Sequence, residues 1–221
     1  MKYSKDKKVF FNDKYHTYSI GNKKLMSVTK YISQFKIPFD SDRIAGKYAK
    51  KHKLIKSEVL KMWKDKGSKA ATMGTFIHKI FEDFILGNEL DVNKDYPKYD
   101  TAKKIIVDLF LSNKLQPIET EYIVYNNKYA GQVDCIARDT NSNYYILDWK
   151  TNEKINFSNK WQSMTGKYSH LDDCSYNHYS IQLSMYKSMC KEYDIKDCFI
   201  VHLKENSYEL IKSLDIKGSE V

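Results

Sequence analysis

Two short runs near the middle of the chain restrict its fold more than any other feature. Residues 129–138 read YAGQVDCIAR and residues 144–150 read YYILDWK, both rich in side chains that suit strands. DTNSN at 139–143 stands between them, and short polar side chains of this kind form turns by bonding their own backbone. A hairpin is expected. IETEYIVY at 118–125 alternates as a third strand ahead of it.

Helical patterns flank these strands. AATMGTFIHKIFEDFILGNEL at 70–90 places Phe76, Ile77, Ile80, Phe81, Phe84 and Ile85 on one stripe, with Thr72 or Thr75 to begin it and Gly87-Asn88 to stop it. A polar connection containing Pro97 follows at 91–99, then an amphipathic helix at 101–114. Residues 152–175 are polar and irregular, 177–193 read as helix, 197–204 as strand and 207–213 as a final edge strand. This order predicts an α/β or α+β domain with a central mixed sheet flanked by helices.

The N-terminal part is different in character. VFFNDKYHTYSI gives two short strands around Asn12-Asp13-Lys14, and SVTKYISQF starts a helix capped by Ser27 or Thr29 and ended or interrupted by Pro38. Residues 47–69 are lysine-rich, with a partly helical apolar face that includes Tyr48, Val59, Leu60 and Trp63. The 221 residues suit a single domain, with 1–70 as a basic β/helical portion, an N-terminal helical extension, and 71–213 as the core.

Lys and Arg outnumber Asp and Glu by 37 to 28, a net charge of +9, which favours a polyanionic partner. No apolar run reaches the roughly 18–20 residues that span a bilayer, and MKYSKDKKVF lacks the apolar stretch of a secretory signal, so a cytoplasmic protein without a membrane partner is expected. Cys135, Cys174, Cys190 and Cys198 form no CxxC pair and read as free thiols rather than zinc ligands. There is no GxxxxGK[ST] loop, so the chain is not itself an ATP-driven motor.

Asp148-Trp149-Lys150 is the sharpest local signal. Alternate residues of a strand share a face, so Asp148 and Lys150 lie together and Trp149 points away. Such a carboxylate can hold a hard divalent cation, and the lysine can position or deprotonate a water and offset charge on a phosphoryl group. A surface ion pair would read the same. Asp134 sharpens the reading, because the hairpin can bring it beside Asp148, and two close carboxylates repel unless a cation neutralises them. Gly131 would permit a close backbone approach or a bulge.

His78 lies within the strong helix, with Glu82 one turn later. It is either a core histidine or a further metal ligand with Glu82 as its orienter, and imidazole suits Mn²⁺ better than Mg²⁺. Glu119 and Glu121 share a strand face; either can reach the metal, and Glu121 is preferred. Gln182 and Tyr186, with Tyr179 three residues before Gln182, can bind phosphate oxygens or buttress the lysine. Lys50, Lys53, Tyr48 and Trp63 can line a channel in which aromatic rings stack on bases, although a helix surface explains them equally.

Taken in order, MGTFIH at 73–78, GQVD at 131–134, DWK at 148–150 and QLSMY at 182–186 resemble the PD-(D/E)xK nuclease superfamily, in particular its RecB-like exonuclease branch. That branch includes phage exonucleases and, more distantly, the mitochondrial genome-maintenance exonuclease, whose DWKT-like strand ending is similar to Asp148-Trp149-Lys150-Thr151 here. The matched region, 72–190, is roughly half of the chain. The resemblance implies hydrolysis of DNA dependent on Mg²⁺ or Mn²⁺, with His78, Asp134, Asp148 and the backbone carbonyl of Trp149 as ligands. It implies Lys150 at the water or phosphate, and Gln182 and Tyr186 beside the active site. Some relatives hold an iron–sulfur cluster on four cysteines; the spacing here predicts none. The expected activity is an exonuclease on single-stranded DNA ends, working with replication or recombination proteins. A structure-selective flap or junction endonuclease is the alternative, and a non-catalytic nucleic-acid-binding protein on a nuclease fold the second.

Overall fold

The computed structural model describes residues 2–90 and 96–216. In chain order the elements are β1 (Lys2–Tyr3), β2 (Phe10–Asn12), β3 (Thr17–Ile20), β4 (Lys23–Ser27), α1 (Val28–Ser33), α2 (Ser41–His52), α3 (Lys56–Leu86), α4 (Tyr99–Ile105), β5 (Leu115–Tyr125), β6 (Tyr129–Asp139), β7 (Tyr144–Lys150), α5 (Ser175–Met189), β8 (Ile195–Leu203) and β9 (Tyr208–Lys212). A π-helical turn, Ile106–Leu111, extends α4. Part of the polar connection expected at 91–99 lies outside the described residues.

The expected hairpin of β6 and β7 forms, with Cys135 opposite Leu147 and Arg138 opposite Tyr144. Its turn is closed by Asp139, whose carboxylate accepts from the backbone N–H of Asn141 and of Asn143, both at 2.9 Å. The nine strands make one mixed sheet. β8 runs parallel to β7 and β9 antiparallel to β8, while β5 covers one edge of β6 and β4 pairs parallel with the other. β1 to β3 extend the sheet as an antiparallel ribbon beyond β4.

Helices cover both faces. Ile136, Ile146 and Ile200 pack with Ile181 and Met185 of α5 and with α1. On the other face Cys135, Leu147, Trp149 and Val201 pack with Ile77, Ile80 and Phe81 of α3 and with α4. Trp149 stacks on Phe81 at 4.0 Å between ring centroids, which fixes the strand face and leaves Asp148 and Lys150 on the opposite one. All four cysteines are free and buried. No helix among the described residues is long and apolar enough to cross a membrane.

The helix expected from residue 70 begins at Lys56 instead. Residues 56–69 are mostly good helix formers and propagate it without a break. Thr72 and Thr75 therefore cap nothing; their hydroxyls fold back on the carbonyls of Ser68 and Ala71, both at 3.1 Å. The lysine-rich run is divided between α2 and α3 by Lys53, which takes the left-handed conformation (φ 55°) more usual for glycine. Ser27 caps α1, its side chain accepting from the N–H of Lys30 at 3.2 Å.

Candidate active site

The site is a consequence of how the sheet divides. β6 keeps β5 along one edge, but its other edge meets β4 only at Tyr129 and Ala130, and β7 only from Cys135 to Arg138. Residues 131–134 thus have an open edge. β7 parts from β6 at the same level and stays with β8, Asp148 opposite Ile200 and Lys150 opposite His202. Asp134 closes the fork: its Oδ2 accepts from the backbone N–H of Trp149 at 2.8 Å, where a strand carbonyl would otherwise stand.

Gly131 admits the second helix layer into this opening. A Cβ there would lie 2.2 Å from a ring carbon of Tyr186, so only glycine lets that buried ring rest on the backbone. Gly131→Ala is expected to destabilise the fold by about 1–3 kcal/mol through overpacking. Combined with Tyr186→Ala it should cost much less than the sum of the two single changes, a coupling that a urea-melt double-mutant cycle reads directly.

Side chains from both layers meet in the fork. His78, on α3, places Nε2 3.2 Å from the Trp149 carbonyl oxygen and Nδ1 3.6 Å from Asp134 Oδ1. The carbonyl can only accept, so Nε2 carries the hydrogen. In the neutral ring Nδ1 then turns a lone pair on a carboxylate oxygen, an arrangement that a cation completes. Glu121 joins them through a left-handed backbone turn (φ 51°), and His78, Glu121 and Asp134 offer ligand atoms all within 4.8 Å of one another. Burial pushes the Glu121 carboxyl up to about 7, and the Asp134 carboxylate adds to this.

Beside this triad lies a buried ion pair. Asp148 is 2% exposed, and its Oδ2 stands 2.6 Å from Lys150 Nζ without hydrogen-bond geometry to any partner among the described residues. Burial pushes the Asp148 carboxyl up, against the pull of the ammonium. For Lys150 burial acts downward, but Asp148 and Asp134 outweigh it and the net shift is upward, so the amine is held as ammonium. Lys150 Nζ lies 4.9 Å from the centre of the Tyr179 ring, and the Tyr179 hydroxyl donates to Asn152 Oδ1 at 2.9 Å. Gln182 Nε2 donates to the Tyr186 hydroxyl at 2.9 Å. His78, Glu121, Asp134, Asp148, Lys150 and Gln182 line one cleft of about 560 Å³.

His78, Glu82, Glu121, Asp134, Asp148, Lys150, Gln182 and Tyr186 are thus brought together from five elements predicted separately. Several roles shift. Asp148 lies beside the three residues whose donor atoms converge, with its Oδ2 turned to Lys150. The Trp149 carbonyl faces His78. Glu82 does not orient His78 but pairs with Lys2 at 3.0 Å and Lys79 at 3.4 Å. Glu119 leaves the site altogether, pairing with Lys5 at 2.7 Å, because the left-handed turn at Glu121 breaks the strand alternation between the two glutamates. Thr151 approaches α3, its Oγ1 3.5 Å from where a Cβ on Gly74 would stand, so it packs beside the site.

Tyr48, Trp63, Lys50 and Lys53 lie on the α2–α3 hairpin rather than in the cleft wall, and Trp63 packs 5.9 Å from Tyr48 and 6.0 Å from Phe39. Two contributors had no sequence signal. Lys2 comes within 3.7 Å of Glu121 from the N-terminus. Lys98 donates to the carbonyls of Thr151 and Leu203, both at 2.7 Å, tying the ends of β7 and β8 together just beyond Lys150.

No protein-family model matches this chain, and no curated protein matches it. Among matching solved structures, the crystal structure of SSO0001 aligns over 55% of this chain and 55% of that chain, at 14% identity and a TM-score of 0.30. The chain spans about half the length of that structure's chain, and so slight a likeness carries no argument about function.

Proposed function

We propose that this chain is a metal-dependent deoxyribonuclease of the PD-(D/E)xK kind, acting on the ends of single-stranded DNA. The observation that carries the reading is the fork itself: a His78–Glu121–Asp134 triad that a cation would complete stands beside the buried Asp148–Lys150 pair in one cleft. The donor set of one imidazole and two carboxylates fits Mn²⁺ or Mg²⁺, with the nitrogen favouring Mn²⁺.

Such a cation, when bound, polarises a phosphoryl oxygen and makes water a better nucleophile. The remaining tasks fall to the chain. Lys150, held as ammonium, offsets the charge that grows on the phosphoryl oxygens, which favours an electrostatic over a proton-abstracting role. Tyr179 restricts where that ammonium can go. Asp148 keeps it in place from below. Gln182 offers an amide to the DNA backbone, without reading sequence, and the hydroxyl of the buried Tyr186 accepts from that amide and orients it.

Mode of cleavage is tested with linear and covalently closed single strands in Mn²⁺. Loss of the linear strand with the circle spared supports the exonuclease; cutting of the circle replaces it with an endonuclease. DNA binding without cleavage of either would leave a non-catalytic binding protein.

Glu121 gives a prediction with a definite sign. Its carboxyl sits near 7 when folded, above the ordinary 4.5, so the associated stability is complete below about pH 4.5 and is lost as pH rises through 7. Glu121→Gln removes that penalty. At pH 8 in EDTA the variant should be more stable by up to about 3 kcal/mol, with no gain at pH 4.5. Mn²⁺ should raise the Tm of the wild type and raise that of the variant much less. Thermal melts at the two pH values, with and without Mn²⁺, check both parts.

A further inference from the structure

Most of the net positive charge of the chain is gathered in one projecting element. Residues 41–69 hold ten Lys or Arg against three Asp or Glu, a net +7 out of +9 for the whole chain. Among the described residues three of these cations make ion pairs, Arg43 with Asp40, Lys56 with Asp42 and Lys66 with Glu153. The other seven are exposed lysines. α2 packs on the start of α3 through Ala45, Ala49 and Val59, and from there to Ile77 no α3 residue is buried. The hairpin is therefore an arm, carried on the same helix that supplies His78.

Its tip is tight and apolar. Leu54 donates its N–H to Ala49 O at 2.9 Å, and Ile55 O accepts from the N–H of Glu58 and of Val59, both at 3.1 Å. These bonds hold the backbone on either side of the tip. Yet Leu54 is 46% exposed and Ile55 is 62% exposed. Ile55 is also the N-cap of α3, where it makes no capping bond, although a short polar residue is preferred at that place. A staple position explains Leu54 in part. Nothing in the fold explains an isoleucine that neither caps nor packs.

We infer that the α2–α3 hairpin is a DNA-binding arm whose Leu54–Ile55 tip is a wedge that enters the base stack where duplex and single strand meet. The inference rests on DNA being the substrate of the cleft. Aliphatic side chains inserted between base steps unstack them, whereas a single strand is held better by aromatic rings, which the tip lacks. Lys50, Lys51 and Lys53 stand next to the tip in sequence and would grip the flanking phosphates. From Lys56 to His78 is roughly 33 Å along the helix, about ten nucleotides at duplex rise. A strand parted at the tip can run along the arm to the cleft.

The test uses a forked DNA with 2-aminopurine either at the first base pair of the fork or in mid-duplex, bound by the full chain in EDTA. The wild type should raise fluorescence several-fold at the fork and not in mid-duplex. Leu54→Ser/Ile55→Ser should abolish the rise and weaken fork binding about tenfold, while its Tm stays level or increases because serine caps the helix. Ile55→Ser alone provides a milder change with the same expected direction. Lys50→Gln/Lys51→Gln/Lys53→Gln should lower the slope of log Kd against log salt by about three. An undiminished fluorescence rise in the tip variants overturns the wedge. An unchanged salt slope overturns the arm, as does binding to phosphatidylserine vesicles without binding to DNA, which would assign the surface to a membrane. No cleavage is needed in any arm of the test. Loss of the wedge with Mn²⁺-dependent cleavage intact refutes this inference alone, and a working wedge on a chain that never cleaves refutes the nuclease alone.

Discussion

Asp134→Asn is expected to lower metal-dependent DNA hydrolysis by roughly 10³-fold or more, because a cation contributes several kcal/mol to such a barrier and, in the proposed reading, this residue would hold it. The fold should survive. Oδ2 of Asp134 accepts from the Trp149 N–H at 2.8 Å, and an asparagine carbonyl can accept in its place. What the amide cannot supply is the charge opposite His78 Nδ1. Asp134→Ala removes both functions; it leaves the buried Trp149 N–H without a partner and should cost a further 1–3 kcal/mol, on the order of an unmade buried hydrogen bond. Single-turnover cleavage and thermal melts on the two variants separate the chemical role from the structural one.

Lys150→Met should be both inactive and unstable, for different reasons. It leaves Asp148, 2% exposed, without its ammonium. Removing one partner of a buried pair costs about 3–5 kcal/mol. The loss belongs to the ionised carboxylate, so it should be large at pH 8 and shrink at low pH as Asp148 takes up a proton. Adding Asp148→Asn should recover most of the stability, because no buried charge is left. It should recover no activity, since the ammonium proposed to offset phosphoryl charge is gone, a loss of about 10²–10³-fold for one such electrostatic group. Melts at two pH values and a cleavage assay on the three proteins decide between a catalytic lysine and a merely structural pair.

The sequence carried the central hairpin and its face because these depend on local signals: the turn residues around Asp139 and the alternation that sends Trp149 to the core. The mixed sheet with helices on both faces was legible for the same reason. Three features were not. The start of α3 was misplaced because Thr72 and Thr75 look like caps, and only the uninterrupted helix through residue 70 shows that they are interior. Glu119 and Glu121 have the same strand parity, and a single left-handed residue separates them; no side-chain preference announces a glutamate at φ 51°. The division of β6 between β4 and β7 is a long-range pairing of residues about one hundred positions apart, invisible to any local pattern. Yet that division explains why Gly131, Asp134, Asp148 and Tyr186 occur together. Sequence spacing could nominate those residues, but only the open strand edge explains how two helix layers reach one site.

The most direct measurement of the central claim follows a 60-nucleotide single strand, labelled at either end, incubated with the purified chain in Mg²⁺, Mn²⁺ or EDTA, beside Asp148→Asn protein. The account predicts cleavage by the wild type in Mn²⁺ or Mg²⁺, none in EDTA, and cleavage slowed by about 10²-fold or more in the variant. Cleavage that continues in EDTA, or that Asp148→Asn retains in full, would contradict it.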